Sequence, residues 1–167
     1  MSSERLRQVE EVLTRYRKQV SGKEVALTTA PPEDKERIKL QIADLKAEMQ
    51  PLEQEYWQIL SQQSGSIEIS EQDAQVLVAE IVNQVSKIEV IPSTYPDEVL
   101  KLLKEIRDKL NQPEKSAAAK LKGVISSIPP FMGVSYEAEI DTENFLQNNF
   151  PTFSNWIKGV VKKKQLS

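Results

Sequence analysis

Two apolar series decide how this chain folds: Leu6, Val9, Leu13, Tyr16, Val20, Lys23 and Leu27, then Ile38, Ile42, Leu45, Met49, Leu52, Tyr56 and Ile59. The first steps by 3, 4, 3, 4, 3, 4 and the second by 4, 3, 4, 3, 4, 3, the a/d repeat of a coiled coil. Lys23 intrudes at one d-type position and reads as a device for register or orientation. Between the series lies Thr28-Thr29-Ala30-Pro31-Pro32-Glu33-Asp34. The prolines stop one helix, and a proline is tolerated in the first turn of the next, where its missing N–H costs nothing. Glu33 and Asp34 then meet the positive end of that helix's dipole. So short a connector predicts an antiparallel hairpin. Pro51 interrupts the second series without shifting its phase, which predicts a kink near residues 47–51.

Outward from the hairpin the composition changes near Ser64-Gly65-Ser66. Residues 1–63 carry ten basic and eleven acidic side chains. Residues 64–167 are richer in Leu, Ile, Val and Phe and read as a compact helical domain. Ser70-Glu71-Gln72-Asp73 resembles a capping box, followed by a broad apolar stripe at Ala74, Leu77, Val78, Ile81, Val82 and Val85. Pro96 with Asp97 and Glu98 opens a second helix, and Pro113-Glu114 a third, ended by Pro129-Pro130. Val134 to Ile140 alternates apolar and polar residues and predicts one short strand, pairing with 67–69, with 88–91 or with another chain. Asp141 and Thr142 offer a cap for a helix through Phe150, and Pro151 starts the last one. The expected fold is mainly α: a long antiparallel coiled-coil hairpin over 1–63, then a compact helical domain over 64–167 with a short strand near 134–140.

Composition closes off several chemistries. The chain has 167 residues with neither histidine nor cysteine, so it offers no imidazole, thiol or disulfide. Net charge is −3, with no global basic field to draw nucleic acid. No phosphate-binding glycine loop occurs, and the five glycines are scattered. Glu53 and Glu55 stand two apart on a helix and point in divergent directions; Glu137 and Glu139 fall on the solvated side of the expected strand. No catalytic, cofactor-binding or metal-ligating residue is assigned, and no cofactor is expected. The start lacks the apolar run of a secretory signal, and no segment is apolar enough to cross a bilayer. The expectation is a soluble cytoplasmic protein.

Candidate partner-binding residues are Tyr16, Lys23, Tyr56, Trp57 and Leu60. Trp57 and Leu60 lie off the a/d line, and either dock the hairpin onto the second domain or anchor a partner. A competing expectation is a membrane-active effector built on the amphipathic segments 117–132 and 151–164. There Trp156, Lys158, Lys162, Lys163 and Lys164 form a basic helix suited to an anionic membrane surface.

Two stretches carry a family resemblance: Pro31-Pro32-Glu33 through Glu55-Tyr56-Trp57-Gln58-Ile59-Leu60, and Ile128-Pro129-Pro130-Phe131 through Phe150-Pro151-Thr152-Phe153. Both resemble the helical N-terminal effector-associated or adaptor modules of large bacterial signalling proteins of the STAND and NACHT type. The resemblance implies a module that recruits partners by like-with-like contact, and it transfers no site residues. The expected function is therefore non-enzymatic protein–protein interaction through the hairpin, with a protein partner or self-association.

Overall fold

The computed structural model describes the backbone of residues 2–91 and 95–166, and the side chains of 4–91 and 95–162. Among them are seven α-helices and one 3-10 turn. They are α1 (Ser2–Thr29), α2 (Pro32–Gln62), the 3-10 turn Ser64–Ser66, α3 (Glu71–Val90), α4 (Asp97–Leu110), α5 (Ala117–Glu137), α6 (Thr142–Asn149) and α7 (Pro151–Leu166). The chain divides into two compact units, Met1–Ile59 and Leu60–Ser167.

In the first unit the arms run antiparallel, because early residues of α1 meet late residues of α2. Arg5 is paired with the Glu55 carboxylate, its Nη2 donating to Oε2 at 2.8 Å. Tyr16 is hydrogen-bonded to Glu48, and the Lys23 Nζ donates to Gln41 Oε1 at 3.0 Å. The a/d residues face inward: Leu6, Val9 and Leu13 are no more than 1% exposed, and Val20, Ile38 and Met49 are also buried. Pro51 lies within α2, which remains one helix through it.

The second unit is built on α3, whose buried face is Ala74, Leu77, Ile81, Val85 and Ile88. It packs against α4 and α5, which also pack on each other, while α7 contacts both α3 and α6. Ser70 caps α3 as expected, its hydroxyl accepting from the Asp73 N–H at 3.1 Å. Three glutamates of α3 then tie its neighbours in place. Glu71 accepts from the N–H groups of Ala117 and Ala118 at 3.0 and 3.1 Å, at the start of α5. Glu80 accepts from Thr152 and Phe153, both at 3.2 Å, at the start of α7. Glu89 pairs with Arg107 of α4. Helix N-termini present donors with no partner inside the helix, and here the partner comes from another helix. With Ser116 taking the Ala119 N–H and its carbonyl the Lys120 N–H, the first turn of α5 is fully satisfied.

The expected strand near 134–140 is corrected: no strand occurs among the described residues, and Val134 to Glu137 form the last turn of α5. The expected stop at Pro129-Pro130 is corrected with it, since both prolines lie inside that helix. Each removes a backbone donor and disfavours a helix interior by about 3 kcal/mol. Against this, Ile128, Phe131 and Met132 are at most 2% exposed and extend the buried row of Leu121, Val124 and Ile125. Burying each such side chain is worth about 1.5–3 kcal/mol, so continuation wins. A lone strand, by contrast, would have found no partner, because 88–90 are helical and 67–69 form no ladder.

Helix α5 ends in a Schellman motif. The Ile140 N–H reaches the Ser135 carbonyl at 2.8 Å and the Glu139 N–H reaches that of Tyr136 at 3.0 Å. Glu139 occupies the left-handed position at φ 60°. Just beyond it, the Thr142 and Ser135 hydroxyls meet at 2.6 Å, both buried, joining α6 to α5. Phe145 of α6 completes the join, packing on Tyr95, Phe131 and Phe150 at ring separations of 5.3–5.8 Å.

Two outcomes are expected. Glu139→Gly removes the left-handed penalty on a side chain and raises stability by about 1 kcal/mol, measured by urea unfolding. Glu71→Gln lowers stability at neutral pH. The two N–H groups hold the Glu71 carboxyl below its ordinary value, the Ala118 bond being the larger cause and the Ala117 bond the next. A group with a depressed folded-state pKa stabilises above its unfolded value and loses that contribution as pH falls through the folded one. The gap between the native chain and Glu71→Gln should therefore be constant above about pH 5 and close on further acidification.

Candidate interaction surfaces

The structure separates the five candidate partner residues into two groups. Tyr56 and Trp57 are each 4% exposed and Leu60 is fully buried, with the two rings edge-to-face at 5.7 Å. Tyr16 and Lys23 are half-buried and face the other arm of the hairpin. The bond to Glu48 raises the Tyr16 phenol above its usual pKa, with desolvation the second cause. Lys23 is held by Gln41, so its charge is anchored at the hairpin's polar layer rather than projected.

Burial along the seam is uneven. Leu27, Ile42, Leu45 and Leu52 stand at seam positions yet are only half-buried. Alongside the seam of α1 runs a row at seven-residue spacing, Val12, Gln19 and Ala26, which carries no charge; Val12 is half-buried and the other two are exposed. The opposite flank is charged: Arg17 pairs with Glu10 at 3.3 Å. Seven residues before Val12 the same row begins with Arg5, which pairs with Glu55, so both flanks of the seam carry charge.

For the basic C-terminal helix, Phe153, Ile157 and Val161 are buried, and Trp156 is half-buried with its ring 6.3 Å from that of Phe153. Lys158 and Lys162 are exposed. Lys163 and Lys164 fall outside the described side chains. In the segment 117–132 the large apolar residues Leu121, Val124, Ile125, Ile128, Phe131 and Met132 are all buried. No helix among the described residues is long and apolar enough to cross a membrane.

Sequence reasoning placed Val78 and Val82 in the core stripe of α3; the structure sets them half-buried in an open groove of about 480 Å³ between α3 and the start of α5. Gln75 and Asn83 share it, and Lys115 and Lys120 stand on the α5 side. The signal was present in the sequence, because Ala74 to Val85 makes a stripe wider than one helical contact needs. Among the described residues no group of three acidic side chains is arranged to hold a metal ion. The chain matches no family model, no curated protein and no solved structure.

Lys23→Leu tests the polar layer. Burying an apolar side chain there should stabilise the hairpin by about 1 kcal/mol, read as a higher thermal midpoint, while removing the single feature that marks its register.

Proposed function

We propose that the chain is a non-enzymatic assembly module whose hairpin binds another helical surface, a second hairpin being the partner it fits best. One observation carries this reading: the heptad seam, sealed at Leu6, Val9 and Leu13, is only half-buried at Leu27, Ile42, Leu45 and Leu52. Two helices in contact cover one stripe each and leave the flanks of that stripe wet. A second hairpin laid over the neutral row of Val12, Gln19 and Ala26 completes a four-helix bundle. Opposite charges are balanced and interspersed over 1–63, so like surfaces meet without net repulsion. The resemblance to effector-associated modules, which act by like-with-like contact, points the same way.

Sedimentation equilibrium of the full chain is the test. The native chain should self-associate, and Gln19→Glu with Ala26→Glu, at exposed positions that leave the seam intact, should lower the mass by at least one association step. An unchanged mass in that double variant, with helical content preserved by circular dichroism, would remove the hairpin from the contact.

A further inference from the structure

We infer that copies of this chain join head to tail through the two ends of α5. The lysine-rimmed groove at its start receives the acidic corner 137–143 of the next copy. Charge is sorted by sign along this helix. Residues 115–122 hold Lys115, Lys120 and Lys122 and no acid. Residues 137–143 hold Glu137, Glu139, Asp141 and Glu143 and no base, and nothing between 123 and 136 is charged. Both placements run against the helix dipole, which favours acids at the start and bases at the end. Helix α3 follows the favourable order, with Glu71 and Asp73 in its first turn and Lys87 in its last. Helix α4 does likewise with Asp97 and Glu98, then Arg107 and Lys109. Helix α5 has neither an acid in its first turn nor a base in its last.

The groove and the corner match in chemistry. Val78 and Val82 make a half-buried apolar floor between α3 and the start of α5, and Lys115 and Lys120 stand on the α5 rim. Lys87, exposed, lies one turn beyond Asn83 on α3. Glu71 also lines the groove and offsets one of these charges, its two oxygens held by the Ala117 and Ala118 N–H groups. Glu114 neighbours Lys115 in the preceding turn and is not part of the lining. The balance over the groove is positive. At the corner, Glu137 and Glu139 are both exposed. Ile140 follows them, half-buried, and supplies the apolar group for the valine floor.

Geometry makes the occupant a second copy. The groove and the corner stand at opposite ends of a 21-residue helix, about 30 Å apart. One chain cannot bring its own two ends together, whereas two chains can bring together one end of each. The contact is heterologous. Each pair keeps one open groove and one open corner, so addition continues into a filament unless the rotation closes a ring. Opposite charge across the contact steers encounter and disfavours the reverse orientation, in which lysines would meet lysines. A partner of other sequence would need the same acidic turn with an apolar residue inside it; this chain carries one.

Complementary variants test the inference, all made in a parent chain carrying Gln19→Glu and Ala26→Glu so that the hairpin contact makes no contribution. In sedimentation velocity that parent should form a concentration-dependent series of oligomers. Salt near 1 M, where the screening length is about 3 Å, should disperse them. Lys115→Gln with Lys120→Gln removes the charge of the groove, and Glu137→Lys with Glu139→Lys reverses that of the corner. Each pair should leave a monomer with unchanged helical content by circular dichroism. The corner pair should not lower the thermal midpoint, since lysine at the end of α5 suits its dipole. Mixed in equal amounts, the two variants should form a one-to-one dimer and nothing larger, because one keeps the corner and the other keeps the groove. A variant that assembles as the parent does, or a mixture that stays monomeric, overturns the inference. So does a parent that is monomeric at every concentration reached, the result expected of a groove that serves another protein's acidic segment. Failure of the hairpin reading shows separately, as equal masses for the native and parent chains.

Discussion

Three glutamates on α3 hold the second unit together. Glu71, Glu80 and Glu89 follow one another at nine-residue intervals, and each engages a different neighbour. Two accept from the first N–H groups of α5 and α7, and the third pairs with Arg107 of α4. The first turns of helices are where backbone donors have no partner within the helix, and a carboxylate there also meets the positive end of the dipole. A single helix therefore fixes where two others begin and along which side a third lies. Apolar burial at Leu77, Ile81 and Val85 supplies the driving force, while the glutamates define the arrangement.

The same economy shapes the surface. Acids that cap internal helices are absent from the outer side of α3, which is flanked by Lys87, Lys115 and Lys120. The hairpin is arranged differently. Its charged pairs occupy both flanks of the seam, Arg17 with Glu10 on one and Arg5 with Glu55 on the other, while Val12, Gln19 and Ala26 are uncharged.

Much of this was legible in sequence. The hairpin followed from two heptad series that keep their phase through Lys23 and Pro51 and from a two-proline connector, because helical periodicity is a local property repeated many times. The starts of α3, α6 and α7 followed from Ser70, Asp141 and Pro151, whose effect acts within one turn. The end of α5 was misread. Val134 to Ile140 has the alternation of a strand, but only seven residues show it, and Ser135 faces the interior where it meets Thr142. The consecutive prolines misled for a related reason: their local penalty was opposed by Ile128, Phe131 and Met132, whose burial no local rule reports. Trp57 and Leu60, open to two readings in sequence, lie buried.

By itself, then, the sequence determined the helical class, the antiparallel hairpin, most helix starts and the absence of imidazole and thiol chemistry. These rest on composition and on forces acting between residues at most four apart. Tertiary structure decided that α5 runs through two prolines, that Glu139 closes it in a left-handed turn, and that Glu71 and Glu80 serve as remote caps. It also decided which apolar residues remain in water. Each of those outcomes balances a local cost against a contact with a residue distant in the chain, and only the folded arrangement brings the two together.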